Sequence, residues 1–189
     1  IDAMPDYKQR EKSLETLEVF APIAHRLGIR HIKEELEDLS IKHLDGVAYA
    51  EIEDLLTHRK EQREKILKDI KEKISDYISE MMPNINVSIQ ARVKSIHGIY
   101  RKMYIQGKDF DEIYDIYALR IITDTVPDCY NILGLMHDLF RPLPGRFKDY
   151  ISMPKPNRYQ SLHTTVVGRD AIPFEIQIRT NEMHHTAEY

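Results

Sequence analysis

The stretch that decides the fold is residues 154–165, PKPNRYQSLHTT, which leads into Val166 and Val167. Prolines at positions 154 and 156 remove backbone donors and predict a loop, and the following threonines and valines predict a strand. Alternate side chains of a strand point to the same face, so this strand has a polar, partly aromatic face. Its members are Tyr159, Ser161, His163 and Thr165.

This polar face follows a loop that carries Lys155 and Asn157. An aromatic ring beside cations suits a nucleotide, because the ring stacks on a base and the cations meet phosphate. The alternative is a half-exposed edge strand with a surface tyrosine. The stretch alone favours neither interpretation over the other.

A second strand is predicted at residues 174–180, FEIQIRT, where apolar and polar side chains alternate strictly. Phe174, Ile176 and Ile178 are expected to face a core. The opposite face then carries Glu175, Gln177 and Arg179. A carboxylate therefore lies on the polar side of this strand.

Several motifs in this order resemble the synthetase domain of the RelA/SpoT (Rel) alarmone enzymes, which transfer pyrophosphate from ATP to the 3′-hydroxyl of GDP or GTP. The matching segments are residues 92–95 (RVKS), 99–103 (IYRKM), 144–151 (PGRFKDYI), 159–165 (YQSLHTT) and 175–180 (EIQIRT). The resemblance covers about residues 14–189. It implies an α+β fold in which a mixed β-sheet is flanked by helices, nucleotidyltransferase-like, with an N-terminal helical segment.

Composition limits the function classes. The 189 residues are 42% hydrophobic and 31% charged, which is typical of a globular chain. No apolar run approaches a membrane span, and no Cys/His set has zinc-site spacing. The single cysteine, Cys129, excludes an internal disulfide and fits a cytoplasmic protein. The chain does not begin with Met, and we expect it to be a piece of a larger protein.

Charge is concentrated in one region. Although the net charge is −4, residues 141–158 contain five basic residues and one acid, a local charge of +4. Such a cluster in an acidic protein predicts a focused anion site, such as one for phosphates. The alternative is a solvated loop that happens to be basic.

Two domains are predicted. Residues 1–45 indicate two helices, the first kinked or restarted at Pro22 and ended at Gly28. This part resembles the tail of the Rel hydrolase domain and its linker, and we interpret His25 and Arg26 as structural. Residues 46–189 resemble the synthetase domain, C-terminally truncated.

Periodicity predicts the elements of the second domain. Helices are expected at residues 51–82, 95–106 and 126–140, and strands at residues 85–93 and 118–122. A rigid turn is expected at residues 141–144 and a short strand at residues 149–153.

The resemblance also implies the site residues. Asp115 and Glu175 would hold Mg²⁺, and Glu175 would assist deprotonation of the attacking hydroxyl. The ATP side would comprise Arg92, Lys94, Lys102 and Arg146. The guanine side would comprise Lys148, Lys155, Asn157, Tyr159 and His163, with Tyr159 stacked on the base and Gln177 and Arg179 supporting.

Other functions stay open at this point: a catalytically silent guanine-nucleotide-binding regulatory module, or an RNA-binding module. We expect no membrane partner, no stable nucleic acid binding by this piece, and no hydrolase activity. The resemblance makes the ribosome a candidate partner of the full-length protein.

Arg158 departs from the family pattern, which usually has glycine before this tyrosine. Glycine there indicates a positive φ or a close backbone approach to a ligand. Because arginine tolerates a positive φ poorly, we expect either a different loop shape or no need for that dihedral, with the side chain in solvent.

Overall fold

The computed structural model describes residues 2–168 and 171–188. The chain divides into two compact units. The helical unit comprises the residues up to Arg59, Ser95–Ile113 and the C-terminal residues from Ala187. The sheet unit comprises Lys60–Lys94 and Tyr114–Thr186.

The helical unit begins with α1 (Asp6–Glu15), which continues through a π-helical segment (Thr16–Phe20) into α2 (Ala21–Arg26). Pro22 lies in the first turn of α2 and has no N–H to donate, which explains the shifted hydrogen-bond pattern just before it. Gly28, at φ 80°, ends this helical arm, and α3 (Arg30–Leu44) follows. The two predicted helices and the end of the first at Gly28 are confirmed, and Pro22 is marked by the change from π-helix to α-helix.

The long helix α4 (Gly46–Met81) begins in the helical unit and continues into the sheet unit. It starts five residues earlier than predicted. The helical unit also contains α5 (Ile96–Tyr100), which runs on as a π-helical segment (Arg101–Ile105). Ser95 caps α5, since its Oγ accepts a 3.1 Å hydrogen bond from the Gly98 N–H. This confirms the predicted helix over residues 95–106.

In the described part of the sheet unit there are six strands: β1 (Ser88–Val93), β2 (Tyr117–Thr123), β3 (Arg141–Pro142), β4 (Lys148–Asp149), β5 (Leu162–Val167) and β6 (Pro173–Thr180). Their order is β1-β2-β6-β5-β3, and β4 also pairs with β5. The β2–β6 pair is parallel and the other pairs are antiparallel. The predicted α+β class with a mixed sheet is confirmed.

One face of the sheet is apolar and packs against α6 (Val126–Leu139). Its fully buried members are Leu119, Ile121, Leu162, Val166, Ile176 and Ile178. The second part of α4 contacts residues of this layer through its long cations: Arg63 lies over the Tyr117 ring and Lys73 over the Phe140 ring. Helix α7 (Asn181–Glu188) follows β6 directly.

Three sequence predictions need correction. The first strand starts at Ser88 rather than residue 85, and residues 141–142 pair with β5 instead of forming only a turn. The strand predicted at residues 149–153 is present only at Asp149, the last residue of β4, and is wrong for residues 150–153. Asp149 Oδ1 accepts hydrogen bonds from the backbone N–H groups of Ile151 (3.0 Å) and Ser152 (2.9 Å), and this side chain closes a turn.

Candidate functional site

The second face of the sheet is polar, and strand register assembles it. Glu175 on β6 lies beside Thr165 of β5 and Ala118 of β2. Two residues on, Gln177 lies beside His163 and Arg120. Because the sheet is continuous, polar side chains from four strands share this surface. They are Gln90 and Arg92 of β1, Arg120 of β2, His163 and Thr165 of β5, and Glu175, Gln177 and Arg179 of β6.

Glu175 is held by two neighbours on this face. Its Oε1 accepts a 2.7 Å hydrogen bond from Gln177 Nε2 and lies 3.3 Å from His163 Nδ1. Burial works to raise the pKa of the Glu175 carboxyl, and the nearby Asp115 charge adds to that. The hydrogen bonds from His163 and Gln177 and the charge of His163 outweigh both, so the pKa lies below its usual value. Glu175 is therefore ionised at neutral pH.

Asp115 and Lys94 form an ion pair at the start of β2. The end of β1 lies beside the start of β2, because Val93 pairs with Tyr117 and the Lys94 N–H donates to the Ile116 carbonyl at 2.8 Å. Lys94 Nζ then lies 2.9 Å from Asp115 Oδ2, with both side chains about one-fifth exposed. Asp115 is close enough to Glu175 for its charge to act on the Glu175 pKa. The starts of two neighbouring parallel strands thus bring two carboxylates together.

These two carboxylates fit Mg²⁺ by their chemistry. Mg²⁺ is commonly held by one or two carboxylates together with substrate phosphates. Within residues 2–168 and 171–188, no group of three or more His, Cys, Asp or Glu side chains is arranged to hold a metal ion. A substrate-assisted site built on Asp115 and Glu175 is consistent with both facts.

An aromatic cluster lies beside Glu175. The Tyr159 hydroxyl is 2.8 Å from His163 Nε2, and the Tyr150 ring meets both rings edge-on. Lys155 Nζ lies 4.6 Å from the Tyr150 centroid and 5.2 Å from the Tyr159 centroid. Tyr159 precedes β5 instead of belonging to it and is only 9% exposed. The structure thus brings Tyr159, His163 and Lys155 together, and their roles in binding a guanine nucleotide stay predictions.

The loop before Tyr159 is a tight turn. The Arg158 N–H donates to the Lys155 carbonyl at 2.8 Å, and the Lys155 N–H donates to the Tyr159 carbonyl at 3.1 Å. Asn157 Oδ1 accepts from the Tyr159 N–H at 3.2 Å. Arg158 has φ 65° and is exposed. The expectation that arginine would avoid the dihedral of glycine is therefore wrong, whereas its predicted exposure to solvent is confirmed.

The other predicted cations are more scattered. Lys148 pairs with His163 across β4 and β5. Arg146 is exposed, with its guanidinium 5.5 Å from the Tyr114 ring centroid. Arg92 is half-buried on β1, and Lys102 belongs to the helical unit, on its second π-helical segment. The roles of these residues in nucleotide binding stay predictions.

Arg179 is fully buried, and its Nη2 lies 2.7 Å from His184 Nδ1. Sequence reasoning missed two residues of this region. Arg120 is 7% exposed on the polar face but stands in the apolar run ALRII, which hid it. Tyr150 joins the aromatic cluster from a turn that was predicted to be a strand.

Comparison with known proteins identifies the family of this chain. A family model described as "Region found in RelA / SpoT proteins" matches residues 91–189, more than half of the chain. The chain is 50% identical, over its whole length, to a probable guanosine-3′,5′-bis(diphosphate) 3′-pyrophosphohydrolase of Synechocystis sp.. It is 46% identical, over 98% of its length, to the bifunctional (p)ppGpp synthase/hydrolase RelA of Mycobacterium tuberculosis. It spans about 25% of each of these curated relatives.

A solved structure is also similar. The small alarmone synthetase 2 of Bacillus subtilis matches 64% of this chain and 70% of its own, with a TM-score of 0.53 and 31% identity. The matched family region begins within β1 and contains the aromatic cluster and both carboxylates. The chain belongs to the RelA/SpoT family.

Proposed function

We propose that this chain transfers pyrophosphate from ATP to the 3′-hydroxyl of GDP or GTP, as the synthetase part of a RelA/SpoT protein. The observation that carries the proposal is the meeting of Asp115 and Glu175 on a polar sheet face that also presents cations and an aromatic cluster. The names of the relatives support the same class of reaction.

This reaction asks the protein mainly to position two nucleotides and to neutralise phosphate charge. Mg²⁺ bound by Asp115 and Glu175 would supply the largest part of that neutralisation. Arg92, Lys94, Lys102 and Arg146 would hold the ATP phosphates and base. Lys94 already lies beside Asp115, so its ammonium is placed next to the carboxylate that a metal would use.

Glu175 would orient the 3′-hydroxyl and accept its proton as the hydroxyl oxygen attacks the β-phosphorus of ATP and AMP leaves. The lowered pKa of Glu175 keeps it ionised and able to accept, but it also makes Glu175 a weak base. Glu175 would therefore act by positioning the hydroxyl as well as by accepting its proton.

The aromatic cluster would hold the guanine nucleotide. Tyr159 would stack on the base, and Lys148, Lys155, Asn157 and His163 would contact its polar groups. The loop geometry supports this placement, because the turn at Lys155–Tyr159 holds the lysine against the tyrosine ring. Gln177 and Arg179 would support the site from β6.

The test is incubation of the chain with labelled ATP, GDP and Mg²⁺, followed by separation of the nucleotides. The proposal expects a guanosine product that carries the label. Binding of GDP without product would indicate a silent regulatory module. Strongly salt-dependent binding of RNA, with neither GDP binding nor product formation, would indicate an RNA-binding module.

The Asp115→Asn variant sharpens this test. We expect product formation to fall at least a hundredfold, because the site loses one of two charged metal ligands, while the thermal unfolding midpoint stays within a few degrees. Glu112→Gln is the matched control: Glu112 is an exposed acid near Asp115 in sequence. Unchanged turnover of Asp115→Asn at saturating Mg²⁺ would remove Asp115 from the metal site.

Because the chain spans a quarter of its curated relatives, activity of the chain alone and ribosome contact of the whole protein both stay proposals. None of the described helices is long and apolar enough to cross a membrane.

A further inference from the structure

We propose that the Tyr159 hydroxyl positions Glu175 through His163, so that Tyr159 acts on the carboxylate as well as on the base. The inference rests on the proposed function and adds a positioning role to it. Three side chains in a row carry it: Tyr159 contacts His163, and His163 contacts Glu175.

The carboxylate of Glu175, the last of these three side chains, determines the direction of its hydrogen bond with His163. An ionised carboxylate only accepts, so His163 Nδ1 must donate to Glu175 Oε1. When the ring is neutral with its proton on Nδ1, Nε2 accepts from the Tyr159 O–H at 2.8 Å; when the ring is protonated, Nε2–H donates to the Tyr159 oxygen instead. In either state the Tyr159 hydroxyl contacts Nε2 and fixes the plane of the ring whose Nδ1 lies against Glu175.

Both protein donors to Glu175 use the same oxygen. Gln177 Nε2, 2.7 Å away, and His163 Nδ1, 3.3 Å away, converge on Oε1. With both of these donors on Oε1, Oε2 would be the oxygen that contacts a metal ion or the 3′-hydroxyl. If His163 turned about its ring axis, Glu175 would keep one donor and could rotate, so the position of Oε2 would spread.

The surroundings restrict that rotation. Tyr159 is 9% exposed and Gln177 3% exposed, while the side chains of His163 and Glu175 are about 15% exposed. Lys155 and Tyr150 contact the Tyr159 ring. Hydrogen bonds in such a water-poor site are stronger than on a surface, so losing one has a larger effect on geometry.

The first test is Tyr159→Phe, measured by steady-state kinetics and by calorimetric titration with GDP. The ring remains, so the GDP dissociation constant and KM should change less than about twofold. The orienting hydroxyl is lost, so kcat should fall about five- to tenfold. Tyr159→Ala, which also removes the ring, should weaken GDP binding about tenfold or more.

Tyr77→Phe is the matched control. Its hydroxyl also makes a side-chain hydrogen bond, to Asp138, away from the polar face. Its kcat and KM should equal those of the unaltered chain. A Tyr159→Phe variant that raises KM at unchanged kcat, or that changes neither constant, would overturn the proposal, because the hydroxyl would then contact the nucleotide directly or do nothing.

The second test is a double-mutant cycle with His163→Asn. The asparagine amide can occupy the position of Nδ1 and donate to Glu175, but it cannot reach the Tyr159 hydroxyl. Adding Tyr159→Phe to His163→Asn should therefore lower kcat no further. Additive losses in the double variant would overturn the proposal that Tyr159 acts on Glu175 through His163, because they would mean that the Tyr159 and His163 side chains act independently.

The cycle separates this inference from the proposed function. If the unaltered chain makes no product from ATP, GDP and Mg²⁺, the proposed function fails. If it makes product but the cycle is additive, only the inference fails. Unfolding midpoints of all variants, taken by circular dichroism, confirm that each comparison is made on folded protein.

Discussion

At the scale of single residues, Arg158 adopts a backbone conformation that usually favours glycine. Its φ of 65° lies in the left-handed region, where a non-glycine residue costs about 1–2 kcal/mol. The turn requires this dihedral, because the Arg158 N–H donates to the Lys155 carbonyl and the chain must then return to Tyr159. The family's usual glycine would meet that requirement without strain.

Arg158→Gly should therefore raise the free energy of unfolding by up to about 1 kcal/mol, since relief of the strain exceeds the entropy that glycine adds to the unfolded chain. Urea unfolding measures this change. GDP affinity should stay within about 0.5 kcal/mol, because the side chain is exposed.

Arg158→Ala is the informative control, because alanine keeps the Cβ and hence the strain. Its stability should match that of the unaltered chain. If alanine and glycine stabilise equally, the arginine side chain rather than the dihedral is the source of the effect. A tenfold loss of GDP affinity in either variant would show that Arg158 contacts the nucleotide.

At the scale of elements, the start of α5 has two side-chain caps. Besides Ser95, the Asp38 carboxylate of α3 accepts from the backbone N–H groups of Ile96 (3.2 Å) and His97 (2.7 Å). Burial raises the pKa of the Asp38 carboxyl, and these hydrogen bonds offset that only in part. The first turn of α5 is thereby tied to α3 inside the helical unit.

Asp38→Ala should lower the free energy of unfolding by about 1–3 kcal/mol, because two part-buried N–H groups lose their acceptor. Ser95→Ala, which removes one acceptor, should cost about 1 kcal/mol. Glu35→Ala, at an exposed position of the same helix, serves as the control and should stay within about 0.5 kcal/mol. A loss from Asp38→Ala no larger than that of Glu35→Ala would contradict the cap.

The elements also show what a sequence predicts well. Strict alternation at residues 174–180 was sufficient to predict β6 and both its faces. The prediction of a short strand failed after Asp149, since the Asp149 side chain accepts hydrogen bonds from backbone N–H groups and closes a turn there. A short polar residue followed by apolar residues is compatible with a strand and with a turn. Only the hydrogen bonds of the structure distinguish these two conformations.

At the scale of the whole molecule, the site depends on contacts between distant parts of the chain. Lys94, Asp115, His163 and Glu175 meet because β2 and β6 are parallel neighbours and β5 pairs with β6. Periodicity predicts strands but not which strands pair. The residues alone therefore identified candidate site residues but not the distances between them. The resemblance gave their grouping, and the described structure brings Asp115, Glu175, His163 and Tyr159 into one neighbourhood.

The whole molecule also limits the chemistry that we expect from this chain. A relative named as a pyrophosphohydrolase shares 50% identity with it, yet the chain spans a quarter of that protein. The one His-Asp pair that is adjacent in sequence, His137-Asp138, makes hydrogen bonds to other elements of the fold. His137 Nε2 lies 2.8 Å from Thr164 Oγ1, and Asp138 accepts from the Tyr77 hydroxyl.

We therefore expect no release of pyrophosphate when the purified chain is incubated with the 3′-pyrophosphorylated nucleotide and either Mg²⁺ or Mn²⁺. The physical reason is that the part of the chain described by the structure contains no group of three metal-binding side chains, as water activation by a protein-held metal requires. A double variant, His137→Gln with Asp138→Asn, serves to identify the source of any release. Metal-dependent release that the double variant abolishes would contradict this assignment and would make the His-Asp pair a second site.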